Sequence, residues 1–117
     1  MSDQSLKNKK IIISAGASGI GLATAKICLS RGAHIYLCDL DSKSLKKLNR
    51  HPLINKKLFV YYCDASSESQ VSEFFKKINK KTKKIDALIN NVGVAGPTGS
   101  LEKIKSKDWE NTLQVDV

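Results

Sequence analysis

At 117 residues, 41% of them hydrophobic, the chain is one domain or part of one, with enough apolar material for a real core. A formal charge of +9 raises nucleic acid as a partner, but eighteen of the twenty basic residues are lysine, and Arg31 and Arg50 alone offer bidentate phosphate or base contacts. A solvated lysine-rich surface is the better account; no apolar run reaches the roughly 18 residues of a membrane span, and Met1–Lys10 lacks the apolar stretch of a secretory signal.

Residues 1–8 read as a polar tail and 9–117 as one unit of structure. The consecutive Ile11, Ile12 and Ile13 predict a strand over Lys10–Ser14 that is buried on both faces. The turn Ser14-Ala15-Gly16-Ala17-Ser18-Gly19-Ile20-Gly21 leads into a helix from Gly19 to Arg31, stopped by Gly32, with Ile20, Ala23 and Ile27 along its apolar face. A glycine-rich turn from a buried strand into a helix start can hold a pyrophosphate. The backbone approaches closely, unpaired N–H groups point outward, and the helix dipole favours negative charge. The plainer alternative is an ordinary strand-to-helix loop that turns on small residues.

A second strand follows at His34–Cys38 and ends in Asp39-Leu40-Asp41. Ser42 reads as the N-cap of a short helix, Lys43–Asn49, with Pro52 closing the segment. The third strand, Leu58–Tyr62, ends in Cys63-Asp64. The next helix starts near Ser67-Glu68, with Val71, Phe74, Phe75 and Ile78 as its apolar stripe and Lys76, Lys77, Lys80 and Lys81 opposite. A fourth strand at Ala87–Ile89 runs into Asn90-Asn91-Val92-Gly93. After Gly96-Pro97 and Gly99, a last helix begins near Ser106 or Lys107.

Cys28, Cys38 and Cys63 lie in apolar stretches without metal or C-x-x-C spacing, which fits reduced, buried thiols in a cytoplasmic protein. His34 and His51 have no ligand-type neighbours at metal spacing and read as structural or surface residues, so no metal site is expected.

Ile12, Ile35, Phe59 and Leu88 centre four apolar runs separated by 23, 24 and 29 residues, each interval holding one helical segment. This is an α/β pattern: a Rossmann-like, doubly wound parallel sheet with flanking helices and strand order 3-2-1-4. Ser14, Asp39, Asp64 and Asn90 then converge at the carboxyl ends of the strands. Asp39, 18 residues beyond Gly21, stands where a carboxylate accepts hydrogen bonds from an adenosine ribose. It would repel a 2′-phosphate, and no arginine stands beside it, so NAD is expected over NADP. Asp41 is the more natural helix-capping residue. Asp64 either accepts from the adenine amino group or caps the helix after it.

These residues resemble the short-chain dehydrogenases/reductases. Ser14 to Gly21 resembles that family's T-G-x-x-x-G-I-G motif, Asp64 its adenine-contacting Asp, and Asn90-Asn91-Val92-Gly93 its N-N-A-G motif. Gly96-Pro97-Thr98 and Asp108-Trp109 resemble the loop and helix that follow, so the likeness runs from about Lys9 to Val117. It implies a cofactor site at Ser14, Ala15, Gly16, Ser18, Gly19, Ile20, Gly21, Asp39, Leu40, Asp64, Ala65, Asn91, Val92 and Gly93. It also implies hydride transfer between a nicotinamide and a small-molecule carbonyl or secondary alcohol, in a protein that is a homo-oligomer when complete.

The departures are specific. Ala15 stands where the family has its first glycine, so a position needing φ > 0 would cost on the order of 1 kcal/mol. Val92 replaces an alanine, and Asp116 stands at the family's asparagine, whose backbone carbonyl helps hold a proton-relay water. The family's catalytic Ser and Tyr-x-x-x-Lys lie on later elements. Tyr36, Tyr61 and Tyr62 are followed four residues on by Leu40, Ala65 and Ser66, so they form no such pair and read as core residues.

Two further features suggest the N-terminal part of a longer enzyme. The last helix has no stop signal, and Ala87–Ile89 would be an unprotected sheet edge. The alternative is a non-catalytic nucleotide-binding or interaction module without the chemical half. A third reading, a lysine-rich nucleic-acid binder on the same scaffold, would bind with strong salt dependence.

Overall fold

The computed structural model describes residues 3–15, 17–90, 93–95 and 99–100, the last two stretches as backbone. Its elements are β1 (Lys10–Ser14), α1 (Gly19–Ser30), β2 (His34–Asp39), α2 (Ser42–Leu48), β3 (Leu58–Tyr62), α3 (Glu68–Asn79), β4 (Lys84–Ile85), β5 (Ala87–Asn90), β6 (Gly93–Ala95) and β7 (Gly99–Ser100). The main sheet runs β3-β2-β1-β5-β6. Its first four strands are parallel, in the order expected from the spacing. Ile12 pairs with Tyr36 on one side and with Leu88 on the other.

Alternation along the strands sends side chains to two cores. Ile12, Tyr36 and Leu88 meet Val71, Phe74 and Ile78 of α3 on one face. Ile11, Ile13, Ile35 and Leu37 meet Ala25 and Leu29 of α1 and Leu45 and Leu48 of α2 on the other. Each fully buried aliphatic side chain contributes about 1.5–3 kcal/mol, so this double-sided burial is what makes three isoleucines in a row a strand. Asp86 sets the start of the central pair: its Oδ2 accepts the Lys10 amide at 2.8 Å, and its own amide donates to the Lys10 carbonyl at 2.8 Å.

Several expectations change on the structure. The apolar face of α1 is not Ile20, Ala23 and Ile27. Gly21, Ala25, Cys28 and Leu29 are buried, while Ile20 is 78% and Ile27 52% exposed. The helix is apolar on more than one side, and the sheet takes the side with small residues, which allow closer approach. Asp41, not Ser42, caps α2: its Oδ1 accepts the amides of Lys43 and Ser44 at 3.1 and 3.2 Å, and Ser42 is the first helical residue. The helix ends at Leu48, ahead of Pro52.

The edge of the fourth predicted strand is not bare. β6 pairs antiparallel with β5, Leu88 opposite Ala95 and Asn90 opposite Gly93. Two pieces of sheet were not foreseen, β6 and the β4–β7 pair that joins Lys84 to Ser100 and Ile85 to Gly99. The polar tail also packs against the body. Leu6 and Asn8 donate their amides to the Arg31 and Gly32 carbonyls at 2.9 and 3.2 Å.

The α3 stripe holds, with Val71, Phe74 and Ile78 buried, Phe75 partly so, and Lys76, Lys77, Lys80 and Lys81 exposed. Ser67 caps that helix through the Gln70 amide at 3.3 Å. Tyr36 and Tyr61 pack in the core, but Tyr62 is 61% exposed at the end of β3, the sheet's outer strand. The three cysteines are buried and unpaired by disulfides. No helix among the described residues is long and apolar enough to cross a membrane.

Candidate functional site

Four parallel strands end in one row. Ser14 pairs with Cys38, Asp39 with Tyr62, and the Cys63 amide donates to the Asp39 carbonyl at 3.1 Å, which places Asp64 beside the end of β2. Ile13 pairs with Ile89, so Asn90 follows next to Ser14. Ser14 and Asn90 are buried. The row of Asp64, Asp39, Ser14 and Asn90 is the convergence expected from the sequence. It lies where a doubly wound sheet binds its ligand.

The turn after β1 rises over this row. Ala15 takes φ +52°, so the residue that replaces a glycine adopts the left-handed conformation that an L side chain resists. Gly19 takes φ +57°, and a Cβ built there meets nothing within 4 Å. Ser18, extended at φ −153°, begins α1 without a side-chain hydrogen bond to the helix amides, and the first turn holds no acidic residue. Ser18, Gly19 and Ile20 are all exposed. Open space, a helix start without a side-chain cap and a first turn without an acidic residue together suit an anionic group of a cofactor.

Asp39 joins the turn to the sheet. Its Oδ2 accepts the Ala17 amide at 3.0 Å, and its Oδ1 accepts the Asp41 amide at 3.0 Å. Each oxygen keeps a further lone pair for a hydroxyl donor. Ala17, absent from the motif-based set, is the residue the sequence reading missed. It is 3% exposed, and its backbone, not its side chain, makes the contact, so residue type gave no signal.

Asp64 closes a small turn rather than capping α3. Its Oδ1 accepts the Ser66 hydroxyl at 2.7 Å and the Ser66 amide at 2.9 Å, and these bonds hold the carboxyl below the ordinary aspartate value. Its own amide donates to Gln70 Oε1 at 2.9 Å, and Oδ2 accepts nothing among the described residues. Leu40 is 52% exposed beside Asp39, and Ala65 is partly buried against the α3 core.

Beneath the row, the Cys38 and Cys63 thiols share a hydrogen bond. It pushes Cys38 up, with burial adding to the shift, and draws Cys63 down against its own burial. Burial pushes the Tyr61 hydroxyl up to about 12, and that group has no hydrogen-bond partner among the described residues. No cluster of His, Cys, Asp and Glu suited to a metal occurs among the described residues.

Gly93 is placed as backbone in β6, opposite Asn90. Gly16, Asn91, Val92, the Gly96-Pro97-Thr98 loop, the helix expected from Ser106 or Lys107 and Asp116 lie outside the described residues.

Comparison with known proteins agrees with this geometry. The family model described as short chain dehydrogenase matches residues 9–117. The chain is 33% identical over 117 residues to the short-chain dehydrogenase reductase 5 of Arabidopsis thaliana, covering all of this chain and 45% of that protein. It is 28% identical over 113 residues to the 3-oxoacyl-[acyl-carrier-protein] reductase FabG of Thermotoga maritima, covering 96% of this chain and 46% of the relative. It thus spans less than half the length of these curated relatives.

Among solved structures, a short-chain dehydrogenase/reductase (glucose/ribitol dehydrogenase) from Brucella melitensis superposes with a TM-score of 0.66 at 24% identity, over 75% of this chain and 37% of that one. A hydroxysteroid dehydrogenase from Escherichia coli gives the same TM-score and identity over 76% and 38%. At that identity the likeness is one of fold. With the family model matched from residue 9 to residue 117, the chain belongs to the short-chain dehydrogenase family.

Proposed function

We propose that this chain is the dinucleotide-binding part of an oxidoreductase that uses NAD in preference to NADP and acts on a small-molecule carbonyl or secondary alcohol. The observation that carries the reading is the Asp39 carboxylate, at the carboxyl end of β2 and hydrogen-bonded to the glycine-rich turn through Ala17. The residues present fit the group. The exposed turn at Ser18, Gly19 and Ile20 receives the pyrophosphate at the start of α1. Asp39 would accept from the ribose hydroxyls and repel a 2′-phosphate, Leu40 would offer an apolar wall, and Asp64 would accept from an amino donor through Oδ2. When bound, the nicotinamide supplies or takes up the hydride.

The Ser and Tyr-x-x-x-Lys that move the proton in this family have no counterpart in the 117 residues. We assign them to a further part of the protein, which is inactive without them. Calorimetric titration with NAD(H) and NADP(H) tests the cofactor reading, and tighter binding of NADP(H) would overturn it. A second reading, a nucleotide-binding module without chemistry of its own, draws on β6, which covers the edge of β5. A Ser followed by Tyr-x-x-x-Lys encoded beyond Val117 would decide for the enzyme.

A further inference from the structure

The cofactor row lies at the carboxyl ends of the strands; their amino ends carry lysines. Lys10 opens β1 and pairs with His34 at the start of β2. The Ile35 amide donates to the Lys57 carbonyl at 2.7 Å, which sets Lys57 on the other side of His34. After burial, the charges of Lys10 and Lys57 hold the His34 imidazole below its ordinary value, so both ammonium groups reach its surroundings. The chain leaving α3 adds more. Lys81 Nζ stands 4.8 Å from the centre of the Phe59 ring, two residues along from Lys57. Lys83 Nζ donates to the Asn79 carbonyl at 2.9 Å, and Lys84 Nζ lies 3.8 Å from Asp86 Oδ1. Asp86 Oδ2 accepts the Lys10 amide at 2.8 Å, which joins this stretch to β1.

Among the described residues, Asp86 is the carboxylate set among Lys10, Lys57, Lys80, Lys81, Lys83 and Lys84; Glu73, further up α3, pairs with Lys76 at 3.4 Å. Lys80, Lys81, Lys83 and Lys84 are exposed, and Lys10 and Lys57 half-buried. Composition alone favours a solvated surface, but the fold gathers these charges at one end, opposite the cofactor row. Their make-up selects the kind of polyanion. Lysines without an arginine are point charges that follow a phosphate backbone without reading bases. The large exposed apolar side chains, Ile20, Ile27, Leu40 and Tyr62, lie on α1 or about the carboxyl ends of β2 and β3, so none stands among these lysines to enter a lipid layer. Phe59 is covered by Lys81 and stacked on Tyr36 at 5.0 Å, which leaves no open platform for unpaired bases. A duplex, with one charge per about 1.7 Å of axis, matches what remains.

We propose that this amino-end face, formed by Lys10, Lys57 and the lysines from Lys80 to Lys84, binds the phosphate backbone of double-stranded nucleic acid without regard to sequence. The probe is a short fluorescent DNA duplex of mixed sequence, titrated with the chain and followed by anisotropy at salt from about 50 to 200 mM. Binding should saturate, and log K should fall against log salt with a slope of about −4, as for four or five neutralised phosphates. The double variant Lys80→Gln/Lys83→Gln should make that slope shallower by about two. Lys26→Gln/Lys43→Gln, an equal loss of charge on α1 and α2, should leave it in place. Circular dichroism checks the fold, and if a double variant fails to fold, its single variants carry the test at about one unit of slope each. No saturable binding at about 50 mM salt would overturn the proposal. So would equal effects of the two double variants, tighter binding of single strands or of phosphatidylserine vesicles, or displacement of the duplex by NAD(H).

Discussion

The Asp39 carboxylate accepts the Ala17 amide at 3.0 Å across 22 residues of chain, so one side chain both anchors the glycine-rich turn and marks the end of β2. Because Ala17 is buried, removing the acceptor strands its amide. Asp39→Ala should therefore destabilise the chain by about 1–3 kcal/mol in urea unfolding. Asp39→Asn keeps an acceptor oxygen and should lose less. Equal losses for the two variants would mean that the carboxamide cannot replace this bond.

Ala15 and Gly32 have the wrong and the right residue, respectively, for a left-handed backbone. Ala15→Gly relieves a methyl at φ +52° and should stabilise by about 1 kcal/mol. Gly32 sits at φ +94°, and a Cβ there would meet Gln4 Oε1 at 2.8 Å and the Lys7 Cα at 3.0 Å. Gly32→Ala should cost more than about 1 kcal/mol, since strain and a backbone clash act together. Chemical unfolding of both variants checks this pair, and shifts of the opposite sign would contradict the turn geometry.

The carboxylates of Asp41 and Asp64 are held below their ordinary value by serine partners. In Asp41 the Ser44 hydroxyl leads, and in Asp64 the Ser66 hydroxyl. A depressed folded-state value means that the stabilisation is present above the ordinary aspartate pKa, about 3.9, and is lost as the pH falls through the lower folded value. Ser44→Ala and Ser66→Ala should each return the partner aspartate toward the ordinary value in carboxyl NMR titrations. An unchanged midpoint would remove the serine as the cause.

Hydrogen bonding with Cys38 holds the Cys63 thiol below its ordinary value. Cys38→Ala removes that partner and should move Cys63 alkylation to higher pH, as followed by mass spectrometry across a pH series. Cys28, pushed up by burial, should keep its profile. A Cys63 profile that does not move would show that the hydrogen bond is not what lowers it.

Much of this architecture was legible because parallel strands buried on both faces leave an unbroken apolar run. Ile11–Ile13 and the spacing to Ile35, Phe59 and Leu88 therefore give order and direction together. Asp39 was legible because its place follows from the end of a strand. The partner of its carboxylate was not, since a backbone amide leaves no mark on residue type. The buried face of α1 was misread because Ile20 and Ile27 share the helical period with Gly21, Ala25 and Cys28, and only the opposing sheet decides between them. β6 was missed because three residues that fold back on β5 carry no periodic signal of their own.

The most direct test is calorimetric titration of the chain and of Asp39→Ala with NAD(H) and NADP(H), with circular dichroism on the same samples. The parent chain should be folded and bind NAD(H) more tightly than NADP(H), and Asp39→Ala should erase that preference while keeping the fold. A folded parent that binds NADP(H) at least as tightly, or a folded variant with its preference intact, would contradict the role given to Asp39.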